Sequence, residues 1–101
     1  MTEPKYPEHK ESYIEKKVGE YAKAIGYFHA KFRSVNNRAV PDRLFINRVG
    51  VTIYIEFKRP GLVATPAQQR KHKQMNGAPI FVVDNIPEGR RILDLYLDWH
   101  I

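Results

Sequence analysis

Apolar residues recur along the chain with two different periods. Between Glu8 and Ile25, the residues Ile14, Val18, Tyr21, Ala22 and Ile25 fall at helical spacing and mark one face of an α-helix. Gly26 follows where a left-handed C-terminal residue is expected. From Tyr27 the period shortens. "YFHAKFRSV" (Tyr27 to Val35) is aromatic and β-prone and predicts a strand. "VPDRLFI" (Val40 to Ile46) predicts a second, with Pro41 near its start, where a missing N–H does least harm. "NRVG" (Asn47 to Gly50) suits a hairpin turn. "VTIYIEFK" (Val51 to Lys58) is the most strand-like segment of all. It sets Val51, Ile53, Ile55 and Phe57 on one face and Thr52, Tyr54, Glu56 and Lys58 on the other.

"RPGLVA" (Arg59 to Ala64) breaks that strand. A helix then starts at "TPAQ", with Thr65 as N-cap, Pro66 at N1 and Gln68 at N3 of a capping box. Asn76 and Gly77 end it. "APIFVVD" (Ala78 to Asp84) predicts a buried strand, and "IPEGRRILDLYLDWHI" (Ile86 to Ile101) a C-terminal helix. The order α-β-β-β-α-β-α predicts an α/β (α+β) fold with a mixed sheet flanked by helices. The chain has 101 residues and shows no repeat or linker, so one domain over residues 1–101 is expected, with residues 1–7 as a loose arm.

Composition narrows the chemistry. There is no cysteine, which removes disulfides, thiolate metal sites and cysteine catalysis. A metal would be held by oxygen or imidazole, which favours Mg²⁺ or Mn²⁺ over structural zinc. No apolar run approaches the ~20 residues of a membrane span, and the N-terminus does not read as a signal peptide. A cytoplasmic protein is expected, in the host cytoplasm if phage-encoded. The net charge of +6 suits a polyanionic partner such as nucleic acid.

Three ionisable residues stand inside the predicted hairpin. Glu56 and Lys58 share a strand face, ~7 Å apart. Asp42 lies on the preceding strand and can approach Glu56 across the hairpin. Two such carboxylates repel, and a divalent cation relieves the repulsion. The lysine adds a charge that holds or polarises a water for attack on a phosphodiester. A bare E-x-K in a strand is ordinarily a solvated ion pair; a Pro-Asp on the strand before it is far less common by chance.

Pro41-Asp42 with Glu56-Phe57-Lys58 resembles the PD-(D/E)xK nuclease superfamily. The wider stretch resembles its small phage-type branch, the VRR-NUC (virus-type replication-repair nuclease) domains. The residues that carry this are "ESYIEKKV" (Glu11 to Val18), "VPDRL" (Val40 to Leu44), "IEFKRPG" (Ile55 to Gly61) and "TPAQ" (Thr65 to Gln68). The likeness runs from Glu11 to about Asn85. It departs from the pattern at Ala39, where the family usually has glycine before V-P-D.

The resemblance implies a restriction-endonuclease-like core. It implies Asp42 and Glu56 as ligands of Mg²⁺ or Mn²⁺, with the main-chain carbonyl of Phe57. Lys58 would serve the attacking water. A glutamate of the first helix would complete the site, with Glu15 preferred and Glu11 in reserve. Gln68 matches the family glutamine, though a capping box also accounts for it. The implied activity is structure-selective cleavage of branched DNA such as four-way (Holliday) junctions, in phage replication, recombination or repair, by a homodimer. A flap or nicking nuclease, or a non-catalytic DNA-binding module on the same scaffold, is the alternative.

Cations surround these motifs. Lys31, Arg33, Arg38 and Arg43 flank the approach to Asp42, Arg59 follows Lys58, and Arg70, Lys71, His72 and Lys73 crowd the next helix. Lys31, Arg38, Arg43, Arg59 and Lys71 are the expected DNA contacts, made to phosphates rather than to bases, since no base-reading motif is present. The four histidines show no ligand spacing and read as structural or surface residues. The apolar C-terminal stretch, with Tyr96 and Trp99, is core or a subunit interface.

Overall fold

A computed structural model describes residues 10–36 and 39–100. The expected N-terminal arm and Arg38 lie outside the described residues. The elements are α1 (Glu11–Ile25), β1 (Phe28–Lys31), β2 (Arg43–Ile46), β3 (Thr52–Phe57), α2 (Pro66–Gln74), β4 (Ile80–Val83) and α3 (Ile86–Tyr96). This is the expected order. The four strands form one sheet in the order β1-β2-β3-β4. The β1–β2 and β2–β3 pairs are antiparallel, and β4 joins β3 in parallel through the crossover that carries α2.

Local chemistry accounts for the element ends. Gly26 stops α1 at φ 112°, and its N–H bonds back to the carbonyls of Ala22 and Lys23. Thr65 and Gln68 form the capping box of α2, with Pro66 in its first turn. Asn85 caps α3 by accepting from the Glu88 N–H at 2.8 Å. In the β2–β3 turn, Asn47 Oδ1 accepts from the N–H groups of Val49 and Val51 at 3.0 and 2.8 Å.

The core lies between the sheet and two helices. Ile14, Val18 and Ala22 of α1 and Ile92 and Leu93 of α3 cluster with Phe45, Ile53, Ile55, Phe57 and Val83 of the strands. The alternation read along β3 therefore holds: Ile53, Ile55 and Phe57 are fully buried. Two readings change. β4 is an edge strand with Val82 40 % exposed, so it is not buried on both faces. The C-terminal helix stops at Tyr96, because Asn47 Nδ2 donates to the carbonyls of Tyr96 and Trp99 at 2.9 and 2.7 Å and turns the chain there. Among the described residues no helix is long and apolar enough to cross a membrane.

The α1–α3 crossing depends on Gly89. A Cβ there would lie 2.6 Å from Cγ2 of the buried Val18. Gly89→Ala gains ~1 kcal/mol of helix propensity but overpacks the crossing, which costs ~1–3 kcal/mol. Denaturant unfolding is expected to show a net loss of up to about 2 kcal/mol. A stabilised variant would mean that α3 shifts freely against α1.

Candidate active site

The hairpin register brings the carboxylates together. Arg43 pairs with Ile55 and Leu44 with Tyr54, so one further step in the same register sets Asp42 opposite Glu56. The Asp42 carbonyl accepts from the Phe32 N–H at 2.8 Å. Its side-chain Oδ2 accepts from the Phe57 N–H at 2.7 Å. The Asp42 main chain is thus tied to the end of β1, and its carboxylate is anchored to β3.

Glu56 is 3 % exposed, and its Oε1 is buried without a hydrogen-bond partner. Burial pushes its pKa up to about 8, and the charge of Asp42 and a carboxyl–carboxyl hydrogen bond add to the rise. Lys58 opposes it. Near neutral pH the Glu56 carboxyl therefore keeps its proton. The Lys58 main-chain N–H donates to Val83 O at 2.9 Å, which ties the end of β3 to β4.

Glu11 opens the first turn of α1. Its pKa is raised by burial, then by the charge of Asp42, against the opposing pull of Lys58 and Arg59. Asp42, Glu56, Lys58 and Glu11 thus form one electrostatic group at the ends of β2 and β3.

No family model matches the chain. The protein named "Putative nuclease p44", of Acyrthosiphon pisum secondary endosymbiont phage 1, is 37% identical over 78 residues, which span 75% of this chain and 84% of that protein. A solved structure described as "VRR_NUC domain" superposes with a TM-score of 0.76 at 25% identity, covering 87% of this chain and 99% of that one. The chain belongs to the VRR-NUC family. Its mixed sheet and flanking helices are the restriction-endonuclease-like fold expected of a VRR-NUC domain.

Within this VRR-NUC domain the two helical glutamates have different surroundings. Glu15 Oε2 accepts from Arg43 Nε at 2.5 Å, with Lys31 Nζ at 3.9 Å. Arg43 is on the helix-facing side of β2, as Phe45 is, whereas Asp42 alternates to the other side. The guanidinium therefore meets α1 at Glu15, and Glu11, one turn earlier, is the glutamate that senses Asp42. Gln68 spends its side-chain oxygen on the Thr65 N–H at 2.9 Å, as the cap of α2.

The expected DNA contacts also separate. Lys31 is exposed, Arg43 is taken up by Glu15 and His29, and Arg59 acts on Glu11. Lys71 Nζ donates to Gln74 Oε1 at 2.8 Å. In the sequence His72 reads only as one of the basic residues crowding α2. Its Nε2 is buried without a partner, and burial, then the Lys58 charge, lowers its pKa. Its place depends on how α2 crosses over, which no spacing encodes.

Among the described residues, no group of three or more His, Asp or Glu side chains is gathered closely enough to hold a metal ion. The Asp42–Glu56 pair nevertheless fits a divalent cation. It offers hard oxygen donors, a repulsion that a cation would relieve, and one buried oxygen with nothing to bind.

The raised Glu56 pKa sets a pH dependence. The folded state holds a proton more tightly than the unfolded chain, whose value is near 4.5, so this stabilisation is complete below 4.5 and is lost as pH rises through about 8. Urea unfolding in EDTA is expected to show stability falling over that window, by up to ~1.4 kcal/mol per pH unit for one such group. Glu56→Gln should flatten the slope. An unchanged slope would remove Glu56 as its source.

Proposed function

We propose that this chain is a divalent-metal-dependent, structure-selective DNA endonuclease that hydrolyses phosphodiester bonds in branched DNA such as four-way junctions. The observation that carries the reading is the Asp42–Glu56 pair, with Glu56 buried, its Oε1 unpartnered, and Lys58 two residues on. Membership of the VRR-NUC family and the name of the phage relative support a nuclease. The charge of +6 supports a polyanionic substrate.

Asp42 and Glu56, with the Phe57 carbonyl, are assigned to hold Mg²⁺ or Mn²⁺. Glu11 is assigned the helix position for which Glu15 was the first choice, because Glu15 is held by Arg43. The cation, when bound, supplies charge neutralisation at the phosphoryl group and a more acidic water. Lys58 holds and orients that water for in-line attack at phosphorus. Asp42 keeps its geometry through the Phe57 N–H, so the ligand pair is preformed. A homodimer would present two such sites to the two strands of a symmetric junction.

Cleavage of a four-way junction, a flap, a fork, plain duplex and single strand, each with Mg²⁺, Mn²⁺ or EDTA, tests this. Junctions are expected to be cut with either metal and not in EDTA. Asp42→Ala, Glu56→Ala and Lys58→Ala are each expected to lower the rate by ~10²–10⁴-fold. An Asp42→Ala variant as active as wild type would end the proposal. Cutting of flaps or single strands alone would keep the chemistry and change the substrate. Comparing Glu11→Gln with Glu15→Gln separates the two glutamates: the first should cost more activity and abolish the rise in melting temperature that Mn²⁺ gives wild type. The reverse order would return the ligand role to Glu15.

A further inference from the structure

A cleft of about 370 Å³ lies between α1 and β1. Arg43, in its wall, directly follows Asp42, and Glu15, in the opposite wall, is one helical turn from Glu11. None of the proposed chemistry uses this space.

Each carboxylate that lines the cleft already faces a cation. Glu15 is matched by Arg43 at 2.5 Å and Lys31 at 3.9 Å, and Glu20 by Lys17 at 3.6 Å. His29 Nδ1 lies 3.1 Å from Arg43 Nη1, and a guanidinium only donates, so Nδ1 is the acceptor. The His29 proton is therefore on Nε2. Burial and the Arg43 charge keep the ring neutral. The other polar side chains of the lining are the donors His29 Nε2 and the ammonium groups of Lys16, Lys23 and Lys31, with the Ser12 hydroxyl, which donates or accepts. Lys16 and Lys23 have no ion-pair partner among the described residues. The charge of Lys23 is felt at His29, which directs that ammonium toward the cleft.

Gly19 keeps the floor open. A Cβ there would lie 3.1 Å from His29 Cε1. Counting the charged lining, four cations (Lys16, Lys23, Lys31, Arg43) stand against two carboxylates (Glu15, Glu20), an excess of two positive charges. A cleft with this excess of positive charge and with donors to spare fits an anion.

We propose that this cleft binds a backbone phosphate of the nucleic-acid substrate through Lys16, Lys23 and His29. The proposal rests on the nuclease reading, and it adds a positioning site on the helix side of the sheet. A phosphodiester carries one negative charge and oxygen acceptors alone, which matches the inventory.

Equilibrium binding of the full chain to a four-way junction, in EDTA so that nothing is cut, tests it over ~50–200 mM salt. Each phosphate contact adds ~0.9 to the slope of log K against log salt. Lys16→Ala/Lys23→Ala should reduce the slope by roughly one to two. In cleavage assays with Mg²⁺ the same variant should raise KM about tenfold or more, as expected for lost backbone contacts. Both lysines are exposed, and an unchanged melting curve checks the fold. Arg90→Ala removes a cation from α3, outside the cleft, and should keep the wild-type slope. An equal drop in Arg90→Ala would reduce the effect to net charge and overturn the proposal. A wild-type slope and KM in the double lysine variant would overturn the cleft and leave the nuclease reading standing. If wild type itself bound no DNA, both would fall.

Discussion

The bond from the Phe57 N–H to Asp42 Oδ2 is the constraint on which the rest of the site depends. It anchors the Asp42 carboxylate to the backbone of β3, at the point where its register faces Glu56. A buried carboxyl held beside a second one is costly, and the raised Glu56 pKa reflects that cost. A side chain free on a loop would swing away. Two paired strands, locked on one face by Phe45, Ile55 and Phe57, leave no such escape. The unpartnered Glu56 oxygen is created by the fold and not by local sequence.

The same alternation that points Asp42 to the site points Arg43 to the helix. Arg43 draws Glu15 and His29 into one network, and His29 stacks on Phe45 with ring centroids 5.6 Å apart. This network seats α1 against β1 and β2. Where α1 sits decides which glutamate reaches Asp42, so an ion pair on one face of the sheet shapes the electrostatics of the other. Gly19 and Gly89 work on the same helix from its two sides, one admitting His29 and the other Val18.

Much of this was legible beforehand. The 3.6-residue period gave α1, strict alternation gave β3, and the capping residues Thr65 and Gly26 marked helix ends that the structure reproduces. The Pro-Asp and Glu-x-Lys pair was legible too, because a strand period of two places Glu56 and Lys58 on one face. The choice between Glu11 and Glu15 was not. On a helical wheel both lie on one side, and only the position of Arg43 across the interface separates them. His72 was equally hidden, since its neighbour Lys58 is distant in sequence and joined to it only through the crossover.

The sequence by itself determined the elements, their order, the apolar faces and the residue types able to hold a cation and a water. These follow from local periodicity and capping, which act over a few residues. The tertiary structure alone decided how deeply Glu56 is buried, which glutamate meets Asp42, where α3 ends and which donors converge in the α1–β1 cleft. Those depend on contacts between residues far apart in the chain, such as Asn47 with Tyr96 and Trp99 or Glu15 with Arg43. Such contacts arise only when packing brings separate elements to one place, and no local pattern in the chain records them.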